Sequence, residues 1–278
     1  RQSEQQLLGQ LPLDEMRARL FIPSVHSHAE IVAEVAHFFG KDDPESCREH
    51  IEQLPTLVKQ KTSRALISNP GSLAVWIRAG ELEADRIECA DWSPKQLQEL
   101  LPEFRKLTRT EDPRKYLSKL DSLCKTCGIA FVVLRALSGC RARGVVRFLS
   151  PNKVMLLVSY RHLTDDQFWF SFFHELAHLL LHPHDVTIDD DWTDNMTTEE
   201  IEADQHAADT LIPSELQQEL KFLRDSRSII AFGRRIGISP GVVVGQMQHK
   251  DILGYDSYFN SLKTRYQWNA NNQIEKKL

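Results

Sequence analysis

The chain has 278 residues, of which 41% are hydrophobic and 26% charged, with 12 glycines and 12 prolines. This composition is typical of a soluble globular protein and excludes collagen, a coiled coil and a disordered chain. No apolar run approaches the roughly 20 residues of a membrane span, and no signal peptide opens the sequence. The five cysteines are scattered along the chain, which predicts reduced thiols and a cytoplasmic location.

The net charge of −5 conceals a strong asymmetry along the chain. Between His162 and Leu220 there are 15 acidic residues and no lysine or arginine, so the rest of the chain carries 34 basic against 24 acidic residues. Six of the eleven histidines lie in the same segment. An acidic stretch is usually a solvated surface, but its coincidence with histidines favours a site for a divalent cation.

Residues 1–107 have a helical pattern. Apolar positions recur at helical spacing in 30–39, and Ser93-Pro94 predicts the capped start of a helix that ends at Leu107. The turn cluster 68–72 precedes another short helix, for which we expect Ser72 to be the cap.

After residue 107 the pattern changes from helical to mixed. Asp112-Pro113 opens a predicted helix that ends at Gly128, and 129–134 is a predicted buried strand. The strand candidates 145–149 and 154–160 are joined by residues of turn type, which predicts a hairpin. A small sheet is therefore expected just before the most informative helix.

That helix is predicted to run from a cap at Thr164 to Leu181, and it contains an HExxH motif, His174 to His178. Two imidazoles four residues apart in a helix lie on one face and can bind one Zn²⁺. Glu175 lies beside that face, where its carboxylate can take a proton from a polarised water and pass it to a leaving amine. The alternative, two histidines on a polar helix face, gives no reason for the large apolar neighbours.

Two imidazoles and a water leave one position for a third protein ligand. Glu200 and Asp204, four residues apart, would supply a ligand together with an acceptor for the second ring nitrogen of a histidine. Glu202, paired with His206, is the second choice. His182 continues the face of His178, and we expect it to lie behind the ligands or to be exposed. The next predicted helix starts after 195–198 and carries all the acidic candidates and one histidine: Glu199, Glu200, Glu202, Asp204, His206 and Asp209.

Two short segments leave alternatives open. Residues 185–194 predict either a mobile acidic loop or a lid or rim beside the substrate. Cys124 and Cys127 form a CxxC motif, but a zinc ribbon needs a second pair. We therefore expect these two thiols to be buried or half-buried.

The C-terminal part has two readings as well. Residues 229–248 have the helix, turn and helix order of a DNA-binding motif, and residues 221–278 carry a net charge of +6. The apolar residues of the helix pair favour packing onto the rest of the protein. The tail from Asn269 is predicted to be frayed.

The HExxH helix and the helix that follows it resemble a known family. The runs from Phe168 to His182 and from Glu200 to Pro213 are similar to the ImmA/IrrE zinc metallopeptidases, with weaker similarity over 237–245 and 262–268. The resemblance implies an α+β, mostly helical fold, in which a minimal, gluzincin-like zincin core with a small sheet and an HExxH helix lies between helical segments. We predict an N-terminal helical or linker region over 1–107, the metallopeptidase core over 108–220 and a helical C-terminal region over 221–278.

The same resemblance implies a ligand set and roles. Zinc would be held by His174, His178 and Glu200, with Asp204 behind a ligand and Glu175 as the general base. At His206 the family usually has an aromatic residue, which leaves an unusual ligand set or a polar wall open.

The resemblance also implies a function. Members of the family cut helix-turn-helix repressors, or act as stress-response or antitoxin-like regulators, and often carry a Cro-type helix-turn-helix before the peptidase core. We therefore expect a cytoplasmic zinc endopeptidase, active or latent, that hydrolyses a repressor, and a homodimer is compatible with this role. The Cro-type module is not recognisable here, and we expect DNA binding through a domain that preceded residue 1. The alternative is a non-catalytic regulator or antitoxin whose metal site is structural or sensory.

Overall fold

A computed structural model describes residues 2–59, 68–182, 187–189 and 197–277 of the chain. The fold is α+β and mostly helical, as predicted. The α-helices are α1 (Gln2–Gln10), α2 (Leu13–Ala18), α3 (His28–Phe39), α4 (Pro44–Lys59), α5 (Pro70–Asp85), α6 (Pro94–Leu107), α7 (Pro113–Thr126), α8 (Asp165–Leu181), α9 (Thr198–Leu211), α10 (Ser226–Ile236) and α11 (Pro240–His249). The strands are β1 (Ile129–Val133), β2 (Gly144–Ser150), β3 (Lys153–Val158), β4 (Thr187–Asp189), β5 (Tyr266–Trp268) and β6 (Ile274–Lys276), and two 3₁₀ segments cover Ser214–Phe222 and Tyr258–Leu262. None of the helices in the described ranges is long and apolar enough to cross a bilayer.

The larger sheet has four strands in the order β1-β3-β2-β4. β1 runs parallel to β3, whereas β2 pairs antiparallel with both β3 and β4. The predicted hairpin of β2 and β3 is confirmed. β4 was not predicted, and its residues belong to the segment 185–194, of which only 187–189 lie within the described residues.

Alternate residues of each strand point to opposite faces of this sheet, so the sheet takes part in two apolar cores. On β3, Leu156 packs with helices α6 to α11, whereas Leu157 packs with helices α1 to α5. α8 lies on the first of these faces. The strands contribute to both cores. The division of the chain at residues 107 and 220 therefore stays a prediction.

Of two expected helix caps, Ser72 is wrong and Thr164 is confirmed in position only. α5 is capped by Asn69, whose Oδ1 accepts a hydrogen bond from the Ser72 amide at 3.0 Å, and Pro70 takes the first helical position. Thr164 is the N-cap residue of α8, as predicted, but its side chain makes no capping hydrogen bond; its backbone forms a β-bridge with Arg265. The adjacent Asp165 amide donates to the Thr264 carbonyl at 3.0 Å.

The C-terminal part differs from the prediction at its end. α10 and α11 pack into the same core as α8, which confirms the expectation of packing for this helix pair. The predicted frayed tail from Asn269 is wrong: β5 and β6 form an antiparallel hairpin around residues 269–273, with Tyr266 and Ile274 buried. Cys124 and Cys127 are free, buried thiols, as expected, and burial raises the pKa of Cys127 to about 11.

Candidate metal centre

The helix α8 carries the motif and is buried along most of its length. One face holds large apolar side chains, including Trp169, Phe172 and Leu176, which are fully buried in the core shared with α6 and α7. This packing orients α8, so its opposite face, with His174 and His178, is directed towards α9. The short side chains of Ala203 and Ala207 are also fully buried and allow α9 to approach α8 closely.

Three donor atoms converge between the two helices. His174 Nε2 lies 3.0 Å from His178 Nε2 and 3.2 Å from Glu200 Oε2, and His178 Nε2 lies 3.4 Å from Glu200 Oε1. Zinc bonds of 2.0–2.1 Å in a tetrahedron place neighbouring donor atoms about 3.3 Å apart. The observed spacing and the donor set, two imidazoles and one carboxylate, therefore fit zinc. This is the one group of three such side chains that the described part of the chain brings within metal-binding range.

Asp204 lies where an acceptor behind His174 was expected. Its Oδ1 is 2.8 Å from His174 Nδ1. Because an ionised carboxylate can only accept, Nδ1 of His174 carries a proton, and Nε2, which faces Glu200 and His178, is the nitrogen left for a metal. The ring of His174 is thus held in the tautomer that binds a metal.

The charge of Glu200 also suits a cation. Burial opposes its ionisation, but the hydrogen bonds with His174 and His178 outweigh burial and hold the pKa of this carboxyl well below its usual range. Glu200 is therefore ionised at neutral pH, as a zinc ligand must be.

Glu175 follows His174 on α8 and is fully buried. The space for its carboxylate comes from Gly144 at the start of β2, where an added Cβ would lie 2.5 Å from Glu175 Oε1. Sequence reasoning missed this role of Gly144. The signal was present, because an isolated glycine in a strand often marks the close approach of another group.

The competing candidates lie elsewhere. Glu202 Oε2 is 2.9 Å from His182 Nε2, so this carboxylate is directed to the end of α8 and not to the three donors. His206 lies next to Thr210 on its own helix, and it is not part of the donor group. His182 lies behind His178, with 3.4 Å between their Nδ1 atoms. The predicted loop or lid over 185–194 falls outside the described residues except for the backbone of β4.

An HExxH sequence on one helix, a glutamate on the following helix and a small sheet are features of a metallopeptidase-type centre. The model of one family, the Peptidase M78 family's IrrE N-terminal-like domain, matches residues 137–245. This match supports an ImmA/IrrE-type metallopeptidase domain in this region, as the resemblance implied. The match covers the chain from β2 to α11 and so includes every residue of the candidate centre. A comparison with curated proteins found no relative that matches the chain.

Proposed function

We propose that the protein is a zinc-dependent endopeptidase in which His174, His178 and Glu200 hold the metal and Glu175 is the general base. The convergence of the three donor atoms, 3.0–3.4 Å apart, beside a fully buried glutamate carries this proposal. Within the residues that the structure describes, three protein donors converge, which also favours a catalytic site, because structural zinc sites usually have four.

The bound zinc would supply Lewis acidity towards a peptide carbonyl and the attacking water. The protein's own residues supply the remaining steps. Glu175, buried against Gly144, takes the proton from the attacking water and later delivers it to the leaving amine. Asp204 holds the imidazole of His174 in one tautomer throughout, so the centre is organised before substrate binds.

For the substrate we propose a helix-turn-helix repressor in the cytoplasm, cut during a stress response or within a toxin–antitoxin type of regulation. Support comes from the family whose model matches residues 137–245. A DNA-binding module joined to this chain, and a homodimer, are part of the same proposal.

A latent form of the enzyme is part of the same proposal. His174 and His178 are 2% exposed and Glu175 is 0% exposed. This burial is compatible with a form in which cleavage requires a partner or a signal that opens the site. A regulator with a sensory metal site would share this burial but would not need Glu175.

The test combines metal content with proteolysis. We expect about one zinc per native chain by mass spectrometry, and none in His174→Ala or Glu200→Ala. Glu215→Ala, which removes an exposed carboxylate of the same acidic segment, serves as the charge-matched control. If the native chain binds no zinc from a zinc-replete medium, the proposal is wrong.

The proteolysis experiment tests whether Glu175 is the general base. Purified candidate repressors are incubated with the native chain and with Glu175→Gln, which should retain zinc but cleave nothing. If Glu175→Gln cleaves a repressor as fast as the native chain does, Glu175 is not the base. If both chains leave every repressor intact yet bind one of them in a zinc-dependent manner, the regulator alternative is favoured.

A further inference from the structure

His178 needs the same support that Asp204 gives to His174, and the structure offers two side chains in that position. We propose that His182 and Glu202 are positioning residues that fix the ring and the tautomer of His178 for metal binding. This inference rests on the proposed metal centre.

The three side chains form a continuous line from the centre to the surface. His178 Nδ1 lies 3.4 Å from His182 Nδ1, and His182 Nε2 lies 2.9 Å from Glu202 Oε2. The first contact is longer than the usual hydrogen bond of about 2.7–3.2 Å, and the second is of normal length. His182 is one turn after His178 on α8, and its backbone amide donates to the His178 carbonyl at 2.8 Å.

The order of protons along this line follows from Glu202. A carboxylate accepts, so Nε2 of His182 carries a proton, and in a ring with one proton Nδ1 has the lone pair. That lone pair faces Nδ1 of His178, which must then carry a proton. The Nε2 atom of His178, on the side of His174 and Glu200, is then the nitrogen left for a metal.

The same geometry argues against His182 as a ligand. His182 contacts the ring nitrogen of His178 that points away from His174 and Glu200. A metal held by the three donors would therefore have His178 between it and His182. The assignment also explains why Glu202 is directed away from the three donors although it lies two residues from Glu200.

The two positioning residues are not equivalent. The side chain of His182 is 11% exposed, whereas that of Glu202 is 55% exposed. Solvent screens an exposed carboxylate, so removal of Glu202 should have a smaller effect than removal of the acceptor atom of His182. We therefore expect zinc affinity to fall more when the acceptor of His182 is removed than when Glu202 is removed.

The experiment measures zinc affinity of the full chain by competition with a chelating dye. His182→Phe removes the acceptor but keeps the ring, and it should weaken zinc binding by about tenfold or more. His182→Asn keeps an acceptor oxygen near the position of Nδ1 and should stay within about threefold of the native affinity. Glu202→Ala should weaken binding by a few-fold, whereas the charge-matched control Glu215→Ala should change it little.

Cobalt replaces zinc in a second measurement that counts ligands. The visible absorption of the Co²⁺ forms of the native chain and of His182→Phe should have the same intensity, because no ligand is lost. An intensity change that indicates a different coordination number would identify His182 as a ligand and overturn the inference. Zinc affinity equal to native in His182→Phe, or equally weakened in His182→Asn and His182→Phe, would also overturn it.

Two results keep the inference separate from the proposed function. If the native chain binds no zinc or cobalt, the metal centre itself fails. If the native chain binds metal and the expected order of affinities among the variants is absent, only the inference fails. Glu202→Ala changes an exposed side chain, so it tests the same line of contacts even if His182→Phe does not fold.

Discussion

Replacing Gly144 by alanine should displace the carboxylate of Glu175 without changing any metal donor. Gly144 begins β2, is held on one side by β3 and on the other by β4, and lies against the α8 side chain that we propose as the base. The variant therefore separates two properties of the centre, metal binding and proton transfer.

The size of the effect follows from the contacts. A Cβ on Gly144 would lie 2.5 Å from Oε1, 2.8 Å from Cγ and 2.9 Å from Cδ of Glu175. Non-bonded atoms prefer about 3.5–4.0 Å, so the carboxylate has to move by about 1 Å. A shift of about 1 Å in a catalytic group costs about 100-fold in rate. Crowding of this kind in a packed interior should also lower the free energy of unfolding by about 1–3 kcal/mol.

Gly80→Ala is the matched control. Its Cβ would lie 2.6 Å from Leu157 Cδ2, which is similar crowding in the core on the other face of the sheet. We expect both variants to unfold at lower urea concentration and to retain about one zinc, while only Gly144→Ala loses cleavage of a repressor or of an unfolded substrate such as casein. Equal cleavage rates for the two variants would refute the claim that β2 positions Glu175. A crystal structure of Gly144→Ala in which the Glu175 carboxylate has not moved would refute it as well.

Three further variants test the surroundings of the centre. Asp204→Ala should weaken zinc binding by about 10- to 100-fold in dye competition, because His174 Nδ1 loses its partner at 2.8 Å; unchanged affinity would contradict this. Lys263→Met should lower the free energy of unfolding in urea by about 3–5 kcal/mol, because it leaves the buried Asp166 carboxylate without its ion pair at 2.7 Å; a loss below about 1 kcal/mol would contradict it. Burial, and then the charge of Asp166, raise the pKa of Asp165 to about 7. Since this pKa is higher in the folded than in the unfolded chain, native stability should fall as the pH rises from about 4 to about 7, and Asp165→Asn should lack this part of the fall in thermal melts; identical pH profiles would contradict it.

Local signals in the sequence predicted the elements around the centre well. The proline at the first position of α6 and of α7, and the polar cap before each, depend only on neighbouring residues. The turn residues 150–153 likewise predicted the β2-β3 hairpin. These features need no knowledge of tertiary contacts, which is why their predicted bounds agree with the structure to within a few residues.

The C-terminal hairpin was missed for a tertiary reason. Its turn has a local signal, because Asn269 Oδ1 accepts from the amides of Asn271 and Gln273 and Asn272 adopts a positive φ. Two strands of three residues are too short to be stable alone. The hairpin persists because Tyr266 is buried against the aromatic rings of Tyr116 and Tyr160, which are distant in the sequence.

The sequence predicts the two histidine donors more directly than the third donor. The spacing of His174 and His178 lies within one helix, so the sequence alone places both rings on one face. The third donor depends on which face of α9 meets α8. Ala203 and Ala207 mark that face as the buried one, and Glu200 precedes them by three and seven residues, which is helical spacing. This pattern was readable from the sequence. Gly144 likewise signals a close approach, but the sequence does not show that the approaching group is Glu175.

The start of α8 depends on the C-terminal part of the chain, although the centre lies further along the helix. Asp165 Oδ2 accepts from Ser239 Oγ at 2.8 Å and Asp165 Oδ1 from the Thr264 amide at 3.0 Å. Gly241 approaches the same carboxylate so closely that a Cβ there would lie 2.4 Å from it. Because His174, Glu175 and His178 are carried by one rigid helix, a force that moves its first turn also moves the donors relative to Glu200. The segment after residue 220 therefore belongs to the support of the metal centre, and this is a physical reason for the family match to continue through α10 into α11.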